Sequence, residues 1–291
     1  MRLFTRFLDD AALFPPGSVP LAQAVPAHLA HLESARGPLV GPFVVASSSL
    51  PALAGLLQGR PPRSFEVAVT VPGPGAVRAS LEAAARIPAL DVRAVEVGVP
   101  AGVVAAEDVV PTLDLALRGD LGRAADGSRA TVFVELPRDE RRGALIDELA
   151  GTAYLAKLRT GGVRADLYPD AAELGSAIVA LVRAGVPFKA TAGLHHAVRN
   201  TDAATGFEQH GFVNMLVAVA AALEGADASE AAVVLADRDG AGLAASLGAW
   251  PVGQAEQVRS VFRSVGTCSI DDPASDLYAL GLLEAAEGVP A

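Results

Sequence analysis

Two lysines stand in a chain that otherwise uses arginine. Of its 23 basic residues, all but Lys157 and Lys189 are arginines, and the two sit in the apolar runs YLAKLRTGG and PFKATAGLHH. Arginine stays protonated and cannot act as a nucleophile, whereas a lysine amine can. A free lysine amine titrates near pH ~10.4. A second cation nearby, together with desolvation, lowers that value. The neutral amine can then attack a carbonyl and form a Schiff base. Once protonated, the imine is an electron sink, so that a carbon–carbon bond beside it can break or form. A carboxylate such as Glu96 could move protons to and from a hydroxyl or a bound water.

Such chemistry needs both amines in one cavity, and the flanking pattern indicates how. Short β-rich runs alternate with Ala/Leu-rich helical runs. The strand candidates are Ala11–Phe14, Gly41–Ala46, Phe65–Val71, Val92–Val99, Ala130–Leu136, Tyr154–Arg159, Pro187–Ala192 and Phe262–Thr267. Helical spacing fills Leu21–Ser34 and the stretches GAVRASLEAAARI and DERRGALIDELAG. In DAAELGSAIVALVRAG, Asp170 is the expected N-cap and Gly185 the stop. Strand–helix alternation predicts a parallel sheet with helical crossovers. Eight units in 291 residues predict an α/β fold, a single (β/α)8 TIM barrel over residues 1–291, with a doubly wound open sheet as the alternative. Residues 199–257 are too long for a plain crossover and read as a helical insertion between strands seven and eight, serving as a lid or an oligomer contact.

In a barrel the site lies at the C-terminal ends of the strands, where side chains alternate in and out with period two. Leu155, Lys157 and Arg159 share a face, as do Lys189 and Thr191, Ala94, Glu96 and Gly98, and Thr131, Phe133 and Glu135. With those faces inward, the mouth holds Lys157, Arg159, Lys189, Glu96 and Glu135. Asp9 and Asp10 read as solvated acids at the rim. Thr160-Gly161-Gly162 could offer backbone N–H groups to an anion.

A net charge of −10 opposes nucleic-acid binding. The single cysteine, Cys268, excludes an intramolecular disulfide framework and suits a reducing compartment. The opening MRLFTRFLDDAALFPP meets acids and prolines too soon for a signal peptide, and the apolar stretch Phe212–Leu223 is too short to span a bilayer. These features predict a cytoplasmic protein with a small, anionic substrate and no membrane partner. The apolar helix of the insertion could support a homodimer.

At its strand ends the sequence resembles the deoxyribose-phosphate aldolase family, class I aldolases on a (β/α)8 barrel, as a distant relative. The family's strand six carries Lys-Thr-Ser-Thr-Gly, and Lys157-Leu158-Arg159-Thr160-Gly161 stands there in this chain. Its strand seven carries a lysine followed by Gly-Gly-Ile-Arg, similar to Lys189 followed by Ala192-Gly193-Leu194-His195. Glu96 in AVEVGVP takes the place of an Asp on strand four. Gly266-Thr267-Cys268-Ser269 resembles the Gly-Ala-Ser-Ser that ends strand eight. The resemblance implies Lys157 as the Schiff-base lysine, Lys189 as the cation that lowers its pKa, and Glu96 as the relay acid, with no cofactor. It implies that Gly193, Gly266 and Ser269 lie near a phosphate pocket. Arg159 replaces a small serine beside Lys157 and could bind a carboxylate or a phosphate, or block the family's sugar phosphate.

Two other readings compete. His195, His196 and His210 with Glu96 and Glu135 could serve a metal-assisted lyase or hydrolase, although no HxH, HExxH or CxxC spacing supports a metal. His195 could instead be a general acid or base. The other reading is a non-catalytic barrel whose mouth binds a small anion.

Overall fold

A computed structural model describes residues 2–102, 104–119 and 121–283. Eight parallel strands close into a barrel: β1 (Leu8–Asp10), β2 (Val40–Ala46), β3 (Phe65–Val71), β4 (Leu90–Val97), β5 (Thr131–Glu135), β6 (Leu155–Arg159), β7 (Phe188–Thr191) and β10 (Phe262–Thr267). The fold is a (β/α)8 TIM barrel. Single helices cover the first six crossovers: α1 (Leu21–Glu33), α2 (Leu50–Leu56), α3 (Val77–Ala85), α4 (Ala106–Ala116), α5 (Arg141–Leu149) and α6 (Ala171–Ala184).

The strands belong to a barrel because both of their faces are spent. Val67, Val69, Val95, Val97, Val132, Val134 and Leu158 point outward and join the core under the helices. Val44, Ala68, Ala94 and Phe133 form a separate cluster inside the lumen, with Ala11, Phe14 and Leu155 against it. Two alanines on neighbouring strands leave room for the one large ring, as a small lumen requires. α6 begins and ends as its caps dictate: the Asp170 side chain accepts from the Glu173 N–H, and Gly185 closes the helix at φ 65°.

The first strand lies earlier than the sequence pattern indicates. It is Leu8–Asp10, paired with Val265–Thr267 of β10 and with β2, while Ala11–Phe14 forms a turn. The pattern hides it because two of its three residues are aspartates, and both are buried. Each has a partner across a packed layer. Asp9 faces the lumen, and Asp10 lies 2.9 Å from His28 Nδ1 of α1.

Between β7 and β10 lie a short hairpin, β8 (Asn200–Thr201) with β9 (Glu208–Gln209), and four helices: α7 (Phe212–Leu223), α8 (Ala228–Ala236), α9 (Gly240–Gly248) and α10 (Gln254–Val261). A final helix, α11 (Asp271–Ala279), follows β10. α7 is apolar almost all round because it is enclosed almost all round. It packs against α6, α8, α9, α10 and β10, and Phe212, Val213, Met215, Leu216, Ala218 and Val219 are fully buried. α7 is therefore built into the wall of the barrel, with Val217, Ala221 and Leu223 partly exposed. Among the described residues no helix is long and apolar enough to cross a membrane.

Candidate functional site

The strand registers bring the predicted side chains together. Lys157 is the Cα partner of Glu135 on one side and of Lys189 on the other. Glu96 reaches from β4 into the same layer. Lys157 Nζ lies 2.8 Å from Glu96 Oε2 and 2.9 Å from Glu135 Oε2. Lys189 Nζ donates to the other Glu96 oxygen, Oε1, at 2.5 Å and to Asp9 Oδ2 at 2.5 Å. Ser264 Oγ donates to the same Asp9 oxygen at 2.7 Å. The Lys189 ammonium also sits 5.4 Å from the Phe133 ring centre. A continuous chain thus runs Ser264–Asp9–Lys189–Glu96–Lys157–Glu135 across six strands.

The chain grades from sealed to open. The Lys189 side chain is 0% exposed and Glu96 2%, against 11% for Lys157 and 27% for Glu135. A cavity of about 230 Å³ opens over the exposed end at the C-terminal mouth. Glu96, Glu135, Lys157, Arg159, Thr191, His195 and Gly266 line it. Its other walls include Ala11, Phe14, Pro15, Val44, Thr70, Val71 and Cys268.

The electrostatics depart from expectation. The two amines do not meet as bare cations, because the Glu96 carboxylate lies between them. Burial pushes the Lys157 amine down, but Glu96 and Glu135 outweigh it and leave its pKa above the ordinary lysine value. Lys189 is raised in the same way, Asp9 and Glu96 overcoming burial. Glu96 itself resists burial through its two ammonium partners and falls to about 2. Burial prevails at Asp9, whose carboxyl is held above its usual range despite Lys189 and Ser264. The expected lowering of Lys157 by Lys189 is therefore reversed: the resting site holds a paired ammonium.

Other predicted residues take different places. Thr160 is fully buried, and its hydroxyl donates to the Ala192 carbonyl at 2.7 Å, tying the end of β6 to the end of β7. Gly161 and Gly193 lie against the Tyr168 ring. A Cβ on either would come within 2.8 Å of Tyr168 Cε1, and the Tyr168 ring also packs 5.5 Å from that of Phe207. Ala192 adopts the left-handed conformation that favours glycine, with φ 69°. The Ser269 hydroxyl accepts from the Asp272 N–H at 3.2 Å, at the start of α11. Neither the two glycines nor Ser269 lines the cavity.

The histidines part ways. His196 Nδ1 lies 3.0 Å from Asp276 on α11, and His210 Nε2 donates to the Pro169 carbonyl at 2.8 Å. Only His195 faces the cavity. Its Nδ1 lies 3.5 Å from Cys268 Sγ, its Nε2 is buried without a partner among the described residues, and burial lowers its pKa, so it is neutral near pH 7. Among the described residues no group of three or more His, Cys, Asp or Glu side chains is placed to hold a metal ion.

Sequence reasoning missed Ser264, and it read Asp9 as a solvated acid at the rim, whereas Asp9 is buried against Lys189. Strand parity held a signal for Ser264, which shares a face with Gly266 on β10. For Asp9 the signal was the need of a buried lysine for a counter-charge. Compared with known proteins, the chain matches no family model and no curated protein.

Proposed function

We propose that the protein is a Schiff-base-forming lyase of the class I aldolase type, acting on a small carbonyl compound, with Lys157 as the nucleophile. The supporting observation is the Lys157 amine at the floor of a closed-sided cavity, held between Glu96 and Glu135 and backed by the buried Lys189. The positions that resemble the aldolase family's Schiff-base lysine, second lysine and relay acid share one hydrogen-bonded chain.

Proton movement follows from the pairing. Transfer of a proton from the Lys157 ammonium to Glu135, 2.9 Å away, removes a positive and a negative charge together. Burial favours that transfer and the ion pairs oppose it; the raised Lys157 pKa makes the charged pair the resting state and the transfer uphill. The neutral amine adds to the carbonyl carbon, and the carbonyl oxygen takes up two protons and leaves as water. The resulting iminium draws in the electron pair of the carbon–carbon bond one atom away. That bond breaks as a base removes the proton of the hydroxyl on the departing carbon, which leaves as an aldehyde or ketone. Glu96 bridges both lysines and can pass that proton onward. Protonation of the enamine and hydrolysis by water free Lys157. The reverse order forms the bond.

The test is intact-mass analysis after borohydride reduction in the presence of small aldehydes and ketones. The expected result is a single adduct on Lys157, absent from Lys157→Arg. Because the Lys157 pKa is raised, the amine is neutral only on the alkaline side, and adduct formation should climb as pH rises above neutrality. No adduct with any carbonyl, or one that persists in Lys157→Arg, would overturn the proposal. Metal in the purified protein, with activity lost to a chelator and no adduct, would favour the metal-assisted reading.

A further inference from the structure

Resting on the Schiff-base reading, we infer that the substrate carries a carboxylate and no phosphate, and that Arg159 and His195 at the cavity mouth receive that carboxylate. Arg159 is two residues beyond Lys157 on the same face of β6, which puts their Cα atoms about 6.6 Å apart at a rise of ~3.3 Å per residue. Its Nε donates to the Gly161 carbonyl at 3.0 Å, which fixes the plane of the guanidinium. Its terminal nitrogens pair with no carboxylate among the described residues, although the cavity holds Glu96 and Glu135. Both acids are already engaged by Lys157. A planar guanidinium fork with a free edge suits a carboxylate in bidentate contact.

His195 supplies the second donor. Burial raises the Cys268 thiol above its ordinary value, so that it stays protonated, and its S–H can donate to His195 Nδ1. The neutral ring then carries its proton on Nε2, the buried atom that lacks a partner. Nε2 itself is enclosed by protein, so a substrate oxygen meets it once the His195 ring turns toward the cavity that it lines. His195, Arg159 and Cys268 stand on three neighbouring strand ends, those of β7, β6 and β10.

A phosphate is disfavoured on two grounds. Of the glycines that would let one approach the backbone, Gly161 and Gly193 lie against Tyr168 and outside the cavity, and Gly266, which lines it, has Thr191 packed against it. The cavity, about 230 Å³, falls below the ~300–1,000 Å³ of sites for larger ligands, which favours a short oxo acid over a sugar phosphate.

Three ketones with a shared CH3–CO unit separate the possibilities: pyruvate, hydroxyacetone and hydroxyacetone phosphate. Each is trapped with borohydride on the full-length protein, and the adduct is quantified by intact mass across a concentration series. Pyruvate should reach half-maximal adduct at about tenfold lower concentration than hydroxyacetone or its phosphate, a factor worth ~1.4 kcal/mol. In Arg159→Gln that preference, measured against hydroxyacetone in the same variant, should disappear, and in Arg159→Lys it should fall in between. Lys157 adducts formed equally well with all three, or best with the phosphate, would overturn the inference and leave the Schiff-base reading standing. A pyruvate preference untouched in Arg159→Gln would remove Arg159 from the role. No adduct with any ketone would end both proposals.

Discussion

Lys189 is the most constrained residue of the site. It is fully buried and serves two carboxylates that are nearly so. Lys189→Met keeps the volume but leaves Asp9 without a counter-charge and Glu96 with Lys157 alone. Removing one partner from a buried ion pair costs about 3–5 kcal/mol. Urea denaturation should show a loss of that size, and a loss below about 1 kcal/mol would mean the pairing is not the one described. Lys189→Met is for the same reason a test of the fold before it is a test of the nucleophile. Lys157, at the exposed end of the chain, is the residue to replace when chemistry alone is in question. Glu96 shows why proximity of two cations is a poor guide to their pKa values. Its single carboxylate offers one oxygen to each lysine, and attraction to the shared anion outweighs their mutual repulsion.

At the scale of elements, the segment from β7 to β10 depends on one polar side chain. Asn214 lies in the first turn of α7 and is fully buried. Its Oδ1 accepts from the Arg199 N–H at 2.9 Å, and its Nδ2 donates to the carbonyls of Val234 and Asp237, each at 2.8 Å. The contacts tie the exit of β7, the start of α7 and the end of α8. Asn214→Ala leaves the Arg199 N–H and the Asp237 carbonyl without the partner that Asn214 supplies and should cost about 2–3 kcal/mol, seen as a lower melting temperature. Gly211, at the N-terminus of α7, completes this junction. A Cβ there would come within 2.4 Å of both the Ala197 carbonyl oxygen and Asn214 Oδ1. Because His195 lies just before this junction, loosening it should also weaken the preference for pyruvate over hydroxyacetone.

For the whole molecule, the paired carboxylates set the response to acid. Glu96 is held at about 2 by its two lysines against burial. Glu173 is held at about 2 by hydrogen bonds from Arg138 and Arg142, with burial opposing them. An unfolded glutamate titrates near 4.5. A depressed folded pKa means that the unfolded chain binds more protons, so the stabilisation is full above pH 4.5 and drains as pH falls towards 2. Asp9, with its raised value, works against this slope. Stability from urea titrations should fall across that window, and less steeply in Glu96→Gln. At the alkaline end the raised lysines have the opposite sign. Their contribution is present below 10.5 and is lost only as pH passes their higher folded values.

The amino-acid order determined the repeat of strand and helix, the parity of each strand and the segregation of its two lysines. These are local properties: a period of two fixes which side chains share a face, and caps such as Asp170 and Gly185 fix where a helix starts and stops. Lys157, Lys189, Glu96, Glu135 and Arg159 were legible on those terms. Barrel closure decided the rest. It set β1 beside β10, which joins Asp9 to Lys189 across 180 residues and makes a two-aspartate strand tolerable. It placed Glu96 between the amines, fixing the sign of their pKa shifts, and it turned Tyr168 onto the glycines that the local motif assigns to phosphate. Pairing energy and excluded volume depend on distances through space, and residues far apart in sequence acquire those distances only when the barrel shuts.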